Sequence, residues 1–499
     1  MAEIIHTYEE LVALIQKNYR NPNLDLIRRA YEMAEAAHRG EKRLTGHPYV
    51  THPLCVAFTL AQMGIHLNVV AAGLLHDVVE DTGIEIEDLK KTFGADVAAL
   101  VDSVTKLKKV KYEGVERYVE NLRKMFLAMA SDVRVVFIKF ADRLHNLKTL
   151  YAQPKHKQER IAREALEIYA PIAGRLGMAE MKGELEDLSF AYLFPKEYEH
   201  VRSLMETKIR RQGAYVSRVI DVTEKLLLQS RIQTAQVHGR VKRLYSLYKK
   251  LKRYENDATK IYDIIAVRIV IQDVEECYTV LGILHNKWKP LPGRIKDYIA
   301  QPKPNGYQSL HTTVFADQGE IVEFQIRTQE MHDLAEYGIA AHWRYKEGSK
   351  SARALHWMEE LASIQKELAS KKDFLDQLEM MKIDAFKDRI FVFTPRGDVI
   401  DLPEGATPVD FAYNIHTQVG NHCVSARVND QIRNLNTQLI SGDIVEIITD
   451  KNRKSPDADW LKFVKTQHAR GKIRDATRSK MKNWFSHVIH LKGKAGEET

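Results

Sequence analysis

Six consecutive residues, His76-Asp77-Val78-Val79-Glu80-Asp81, follow directly on the apolar segment Ala71-Ala72-Gly73-Leu74-Leu75. Charged side chains are normally excluded from such a background. On a single helix, His76 and Glu80 share one face and Asp77 and Asp81 the next. Ionisable groups entering a core from one side have to be neutralised, and a bound cation does that most simply. His52 stands before Pro53 at an expected helix start. Asp142 lies in the distant run Phe140-Ala141-Asp142-Arg143-Leu144-His145-Asn146. Together these give a two-histidine, two-carboxylate set. Mixed nitrogen and oxygen ligands suit Mn²⁺, Fe²⁺ or Zn²⁺ better than Mg²⁺. Glu80 and Asp81 would remain beside the metal to orient or deprotonate a water.

A second constellation lies some two hundred residues downstream. The stretch from Gly239 to Lys250 is expected to open a helix after the glycine, with Lys242, Ser246 and Lys250 along one ridge. Such a ridge near a helix N-terminus suits a polyphosphate. In Ile321–Arg327, strand alternation puts Glu323, Gln325 and Arg327 on one face and Val322, Phe324 and Ile326 on the core face. Asp263, at the start of an expected strand Tyr262–Val270, supplies a second carboxylate for Mg²⁺. Paired carboxylates with a metal are what in-line phosphoryl transfer requires. Asp263 and Arg268 are five residues apart, so a regular strand sends them to opposite faces. For both to reach one ligand there must be a bulge or a strand end between them.

The elements that carry these groups separate into regions. The chain has 499 residues, 44% of them apolar, enough for about three domains. Residues 5 to about 195 read as nearly continuous helix, and 196–238 as a charged helical connector. From Ile261 the pattern mixes β-branched runs with helices and a Pro/Gly-rich loop, Pro290–Gly306. Residues 351–385 return to helix. Short strands Arg389–Thr394, Asp398–Leu402, Cys423–Val428 and Ile444–Ile448, with one helix around Pro408–His416, form a small third region. The three cysteines, Cys55, Cys277 and Cys423, lie far apart and argue against disulfides or a structural zinc. No apolar run reaches the roughly 18 residues of a membrane span, so no membrane partner and a cytoplasmic location are expected. Residues 451–499 hold 13 Lys/Arg and 5 Asp/Glu, which accounts for the whole net charge of +8. Such a tail suits an anionic partner such as RNA.

The metal set resembles the HD phosphohydrolase superfamily, whose metal is held by His…His-Asp…Asp. More narrowly, Arg43-Leu44-Thr45-Gly46-His47-Pro48-Tyr49, His76–Thr82 and Ala141–Asn146 resemble the hydrolase domain of long RelA/SpoT homologs. The resemblance implies removal of the 3′-pyrophosphate of (p)ppGpp, with His52, His76, Asp77 and Asp142 on Mn²⁺. It implies Glu80 and Asp81 as the groups activating water, and Arg43, Asn146 and Thr149 as nucleotide contacts. The family usually carries Lys-Ser after the arginine and Glu before the proline, where this chain has Leu44-Thr45 and His47.

The second constellation is similar to the synthetase domain of the same family, which transfers the β,γ-pyrophosphate of ATP to the 3′-hydroxyl of GDP or GTP. The resemblance implies that Arg240 and Arg268 sandwich the adenine and that Lys242, Ser246 and Lys250 hold the ATP phosphates. Asp263 and Glu323 would serve Mg²⁺, with Glu323 also the base on the 3′-hydroxyl. Tyr307 would stack on guanine, with Lys303, Asn305, His311 and Gln325 around the acceptor. Arg294-Ile295-Lys296-Asp297 resembles the Arg-x-Lys-Asp variant of bifunctional members. Residues from Asp388 to Thr449 resemble a TGS domain, in which His416 matches a position that meets tRNA.

The expected architecture is therefore multidomain. An all-α HD hydrolase domain (1–195) precedes an α+β, nucleotidyltransferase-like synthetase domain with a mixed sheet (196–345). A helical linker (346–386), a β-grasp TGS domain (387–450) and the basic start of a helical domain (451–499) follow. Long family members continue further, so the resemblance implies either a chain truncated after the TGS domain or a shortened member. It implies ribosome and uncharged tRNA as partners through the C-terminal region, and leaves room for a homodimer. Two opposed sites joined by the connector suggest a switch between them. The alternative reading is a ribosome- or tRNA-binding starvation sensor with one active catalytic site.

Overall fold

Helices begin where the sequence supplies caps. Thr7 accepts from the Glu10 amide (3.2 Å) while the Glu10 carboxylate accepts from the Thr7 amide (3.1 Å), starting α1 (Tyr8–Asn18). The computed structural model describes residues 5–108, 125, 128, 131–232, 236–258, 261, 264–303, 305–341, 389–440, 442–453, 455–466 and 468–477. They fall into two compact units, Met1–Glu367 and Leu368–Thr499. Among the described residues, no helix is long and apolar enough to cross a membrane.

In the first unit α2 (Leu24–Ala37), α3 (Thr51–Gln62), α4 (Leu67–Leu75), α5 (Val78–Asp81), α6 (Ile86–Phe93) and α7 (Ala95–Lys108) precede α8 (Arg134–Lys148). α8 packs against α3, α4 and α7. Its Val135, Phe137, Ile138, Phe140, Leu144 and Leu147 are buried, and so is every residue of α4 from Val69 to Leu75. α4 is apolar nearly all round because it forms the middle of the bundle, whereas α8 buries Lys139, Asp142 and His145 beside its apolar residues. α9 (Lys155–Glu164), a π turn, α10 (Ala170–Arg175) and α11 (Ala179–Leu193) complete the region.

One expectation fails here. His76–Asp81 is not one helix: α4 ends at Leu75, His76 is its C-cap, and Asp77 is the N-cap of α5. Both Glu80 and Asp81 donate their amides to the Asp77 carbonyl (3.1 and 2.9 Å). An unbroken helix would turn Asp77 about 100° away from His76. The break lets two adjacent side chains face one point in the core, while Glu80 and Asp81 go to the exposed rim.

α12 (Pro195–Gln229), begun by a proline in its first turn, is more than a connector. Its Val216, Val219 and Leu227 share a core with Val267, Ile269, Val280, Leu284, Phe324 and Ile326. That core underlies a mixed sheet of β1 (Gln236–Val241), β2 (Ile265–Ile271), β3 (Lys289–Pro290), β4 (Lys296–Asp297), β5 (Leu310–Phe315) and β6 (Ile321–Thr328). The order is β1-β2-β6-β5-β3, with β4 also on β5; β2 and β6 run parallel. Val322, Phe324 and Ile326 are buried in the core, as the alternation requires.

A second difference concerns Gly239–Lys250. Arg240 lies in β1, paired antiparallel with Ala266, and α13 (Leu244–Arg253) starts only after Arg243. Lys242 donates its amide to the Ile264 carbonyl (2.9 Å), so sheet pairing, not helix, fixes it. Ser246 and Lys250 alone share the helix. Asp263, the bulge expected near it and the 346–386 linker lie outside the described residues. α14 (Val274–Lys287) and α15 (Gln329–Tyr337) complete the sheet domain.

The helical and sheet domains touch directly, not only through α12. The Arg243 guanidinium pairs with Glu180, Lys249 Nζ lies 3.3 Å from Glu186 Oε1, and the Tyr245 amide donates to Asp187 Oδ1 (2.9 Å). The Ile339 amide donates to the Leu176 carbonyl (2.9 Å) beside Gly338, which has φ +57°. A Cβ at Gly338 would lie 2.1 Å from the Leu176 oxygen.

In the second unit, β7 (Arg389–Phe393) and β8 (Val399–Pro403) form a hairpin, and a sheet runs β10-β9-β11 (Gln431–Arg433, Cys423–Val428, Val445–Thr449). α16 (Pro408–Ile415) starts from a Thr407/Asp410 capping box and leads into α17 (Thr417–Asn421). Trp460, Val464, Ala469 and Ile473 pack on Val409, Ala412 and Tyr413, so apolar packing continues past residue 450. The basic residues after 477 lie outside the described residues.

Gly338→Ala is expected to cost about 3 kcal/mol or more in urea unfolding, combining backbone strain with a clash. Gly293→Ala, at φ +71° with nothing within 4 Å, should cost only about 1–2 kcal/mol. Equal costs at the two positions would contradict this view of the junction.

Candidate active sites

Three helical segments bring the first set together. His52 comes from the first turn of α3, His76 and Asp77 from the α4–α5 break, and Asp142 from α8. One ligand atom from each of His52, His76 and Asp142 lies within 4.8 Å of the others. Asp77 offers one oxygen to each imidazole: Oδ2 is 3.6 Å from His52 Nε2 and Oδ1 is 3.3 Å from His76 Nε2. His52 Nε2 is 3.3 Å from Asp142 Oδ1. All four residues are buried.

The surrounding hydrogen bonds aim these groups. His76 Nδ1 lies 2.8 Å from the Gly73 carbonyl, which requires a proton on Nδ1 and turns the Nε2 lone pair toward the cluster. His52 Nδ1 lies 2.8 Å from Nδ1 of buried His145. Burial first, then His52 and Arg43, push the His145 imidazole down to about 2, so it is neutral. A neutral His145 accepting at Nδ1 leaves His52 Nε2 as a ligand lone pair. The Asn146 amide donates to Asp142 Oδ1 (2.6 Å) and its oxygen accepts from Arg43 (3.0 Å). Lys139 Nζ is 3.3 Å from Asp142 Oδ2. A neutral-nitrogen and carboxylate donor set of this kind, aimed at one point, fits a divalent cation.

From this cluster opens a cleft of about 280 Å³, lined by Arg43, Lys139, Asp142, Asn146 and Thr149 and, farther out, Arg143 and Arg160. Cations outnumber carboxylates on its wall, which favours a polyanionic ligand. Glu80 and Asp81 are exposed and are not among its lining residues, and the Tyr49 hydroxyl is 2.8 Å from Asp81 Oδ2.

The second cleft, about 360 Å³, lies over the sheet and is lined by Arg240, Lys242, Lys250, Tyr254, Arg294, Lys296, Tyr298, Lys303, Tyr307, His311, Thr313, Glu323 and Gln325. One carboxylate faces six cationic side chains, again the signature of a polyphosphate ligand. A chain of hydrogen bonds crosses its floor. Arg240 donates to Gln325 Oε1 (2.8 Å), and Gln325 donates to Glu323 Oε1 (3.0 Å). His311 Nδ1 stands 3.4 Å from the same oxygen, and its Nε2 is 2.8 Å from the Tyr307 hydroxyl. Burial pushes the His311 imidazole down, opposed by Glu323. Lys303 Nζ lies over Tyr298 (4.6 Å) and Tyr307 (5.1 Å), cation on ring face.

Three expected ligand residues stand off this wall. Ser246 and Asn305 are not among its lining residues, and Arg268 is buried with its guanidinium 3.0 Å from Glu336 Oε1. Arg327 shares that carboxylate (2.8 Å). Burial, then Arg327, push the Arg268 guanidinium down to about 10. Burial works to raise the Glu336 carboxyl, but Arg268 and Arg327 outweigh it and hold it low. In the second unit His416 is exposed, and its Nδ1 accepts from the Gln418 amide (3.2 Å) at the start of α17.

Tyr49, Lys139, His145 and Glu336 carry site contacts that the sequence reading assigned no role. Three were within reach: Tyr49 precedes His52, Lys139 precedes Asp142 and His145 follows Asp142, each by three residues, about one helical turn. Glu336 was not, because its partners come from two strands.

His332 Nδ1, 2.9 Å from Arg327, is pushed down from 6.5 to about 4, by burial first and then by Arg327. The unfolded chain therefore takes up this proton first as pH falls. The stability it contributes is full above about pH 6.5 and is lost down to about pH 4. The wild-type unfolding midpoint should fall between pH 7 and pH 5, and fall less in His332→Gln. An identical pH dependence in the variant would contradict this.

Comparison with known proteins agrees with this division. Residues 30–179 match the HD domain model, 239–350 the region found in RelA / SpoT proteins, and 390–449 the TGS domain. The chain is 49% identical over 451 residues to a guanosine-3′,5′-bis(diphosphate) 3′-pyrophosphohydrolase of Aquifex aeolicus, covering 90% of this chain and 64% of that protein. It is 46% identical over 468 residues to a GTP pyrophosphokinase of Myxococcus xanthus, covering 92% and 61%. It is 44% identical over 476 residues to the bifunctional (p)ppGpp synthase/hydrolase SpoT of Escherichia coli, covering 94% and 67%. The chain thus spans about two thirds or less of the length of these relatives. An HD domain implies a divalent cation, and the His52, His76, Asp77 and Asp142 donors fit one. With its HD, synthetase-type and TGS regions in this order, the chain belongs to the RelA/SpoT family.

Proposed function

We propose that this chain both makes and destroys (p)ppGpp. The observation that carries the reading is a pair of separate cationic clefts in one compact unit, one opening from a buried His/Asp set and one built on a carboxylate-bearing sheet. Beside the hydrolase cleft His52, His76, Asp77 and Asp142 would hold Mn²⁺, favoured over Mg²⁺ by the two imidazoles. The cation supplies Lewis-acid polarisation and a water of lowered pKa. Arg43, Asn146 and Thr149 hold the nucleotide, and Glu80 and Asp81 orient the water and take its proton. Attack at the phosphorus on the 3′ oxygen breaks that P–O bond, giving GDP or GTP and pyrophosphate.

In the other cleft Lys242 and Lys250 receive the ATP phosphates, Arg240 packs on the adenine, and Tyr307 stacks on the acceptor base, worth roughly 1–3 kcal/mol. Glu323, held by Gln325 and faced by His311, takes the proton of the 3′-hydroxyl as its oxygen attacks the β-phosphorus and AMP leaves. Asp263 and Glu323 would serve Mg²⁺. Arg268 would have to leave Glu336, or act from beneath, to contact adenine. The TGS region and its exposed His416 support uncharged tRNA and the ribosome as partners, in the cytoplasm.

Glu323→Gln should lower synthesis from ATP and GDP with Mg²⁺ by about 100-fold or more and leave ppGpp hydrolysis with Mn²⁺ intact. Asp77→Ala should abolish hydrolysis, and Mn²⁺ dependence with it, and leave synthesis. If either substitution removes both activities in a folded protein, the two-site reading falls. If wild type shows one activity alone, the single-site sensor takes its place.

A further inference from the structure

Tyr49 holds a position beside the buried His/Asp set that the ligand set alone does not explain. Its hydroxyl lies 3.0 Å from Asp77 Oδ2 and 2.8 Å from Asp81 Oδ2. The side chain is firmly delivered there. Its ring stacks on His38 at 4.3 Å, meets His52 edge-on, and carries the Arg43 guanidinium 5.9 Å from its centroid. The backbone is tied as well: the Tyr49 amide donates to the Glu41 carbonyl (3.0 Å), and Arg43 donates its amide to His47 across the same loop (2.9 Å).

A phenol has one proton and here faces two carboxylate oxygens, so it donates to one of them at a time. The two are not equivalent. Asp77 is buried and faces the imidazoles of His52 and His76, where a divalent cation would compensate its charge. Asp81 stands on the exposed rim. With Asp77 engaged by the cation, the donor is directed to Asp81. We propose that Tyr49 is a positioning residue for hydrolysis, its hydroxyl fixing the Asp81 carboxylate beside the cation site. The proposal rests on the hydrolase reading above and adds to it the group that holds the rim carboxylate in place. Asp81 is otherwise carried by a single-turn helix, α5, that cannot by itself fix a side chain.

Tyr49→Phe keeps the ring, and with it the His38 stack and the Arg43 contact, and removes only the hydroxyl. Loss of such an outer partner typically costs 10- to 100-fold. Three quantities are compared with wild type: kcat and KM for ppGpp hydrolysis, and Mn²⁺ affinity of metal-stripped protein by electron paramagnetic resonance titration. The expected result is kcat down about 10- to 100-fold, with KM within about twofold and Mn²⁺ affinity within about threefold, both below a tenfold, 1.4 kcal/mol step. An unchanged kcat overturns the proposal. So does a loss carried by KM, or a fall in Mn²⁺ affinity that parallels kcat, since Tyr49 would then serve the nucleotide or Asp77. Wild type that leaves ppGpp intact removes the hydrolase reading itself, and this role with it.

Discussion

Two imidazoles and two carboxylates, buried at the centre of an apolar helix bundle, are the constraint around which the N-terminal region is built. Desolvated charges of this kind are costly unless they are paired or bind a cation. The bundle meets the cost by aiming every group. Gly73 fixes the tautomer of His76, His145 holds the Nδ1 side of His52, and Asn146 and Lys139 hold the two oxygens of Asp142. The break between α4 and α5 belongs to the same solution. It spends one helical junction to turn adjacent residues onto a single point and to lift Glu80 and Asp81 to the rim.

The sheet domain solves a different electrostatic problem with the same economy. Two buried guanidiniums, Arg268 and Arg327, share the single carboxylate of Glu336, which rides on α15. The C-terminal end of α15 is Gly338, seated against Leu176 of the helical domain. The loop that carries Asn305 is close to the same junction, since a Cβ on Gly177 would lie 3.3 Å from the Asn305 carbonyl. The floor of one cleft and the frame of the other are thus connected by packed backbone, in addition to α12.

Much of this was legible in the sequence, for physical reasons. Charged groups in an apolar background announce themselves, so His52, His76, Asp77 and Asp142, which the fold brings together, could be named from types and spacing, as could Glu323 on the wall of the second cleft. Alternation in Ile321–Arg327 gave the correct core face because a strand has a period of two. What spacing could not supply was local geometry decided by tertiary pairing. The helix expected from Gly239 gave way to β1 because β2 offers a partner for six residues. The burial of Arg268 depends on Glu336, sixty-eight positions away in sequence, and no periodicity reports such a contact. Tyr49 and His145 lay one turn from recognised ligands and were readable in principle. Their roles needed the hydrogen-bond geometry.

Both clefts acting on one nucleotide is the central claim, and the stoichiometry of a single reaction tests it most directly. Wild-type protein with excess ATP, a small amount of GDP, Mg²⁺ and Mn²⁺ is followed by ³¹P magnetic resonance. If the chain both transfers pyrophosphate to GDP and removes it again, GDP is regenerated. AMP and pyrophosphate then accumulate in equal amounts well beyond the GDP supplied. AMP that stops at one equivalent of GDP, with ppGpp persisting, would contradict the account.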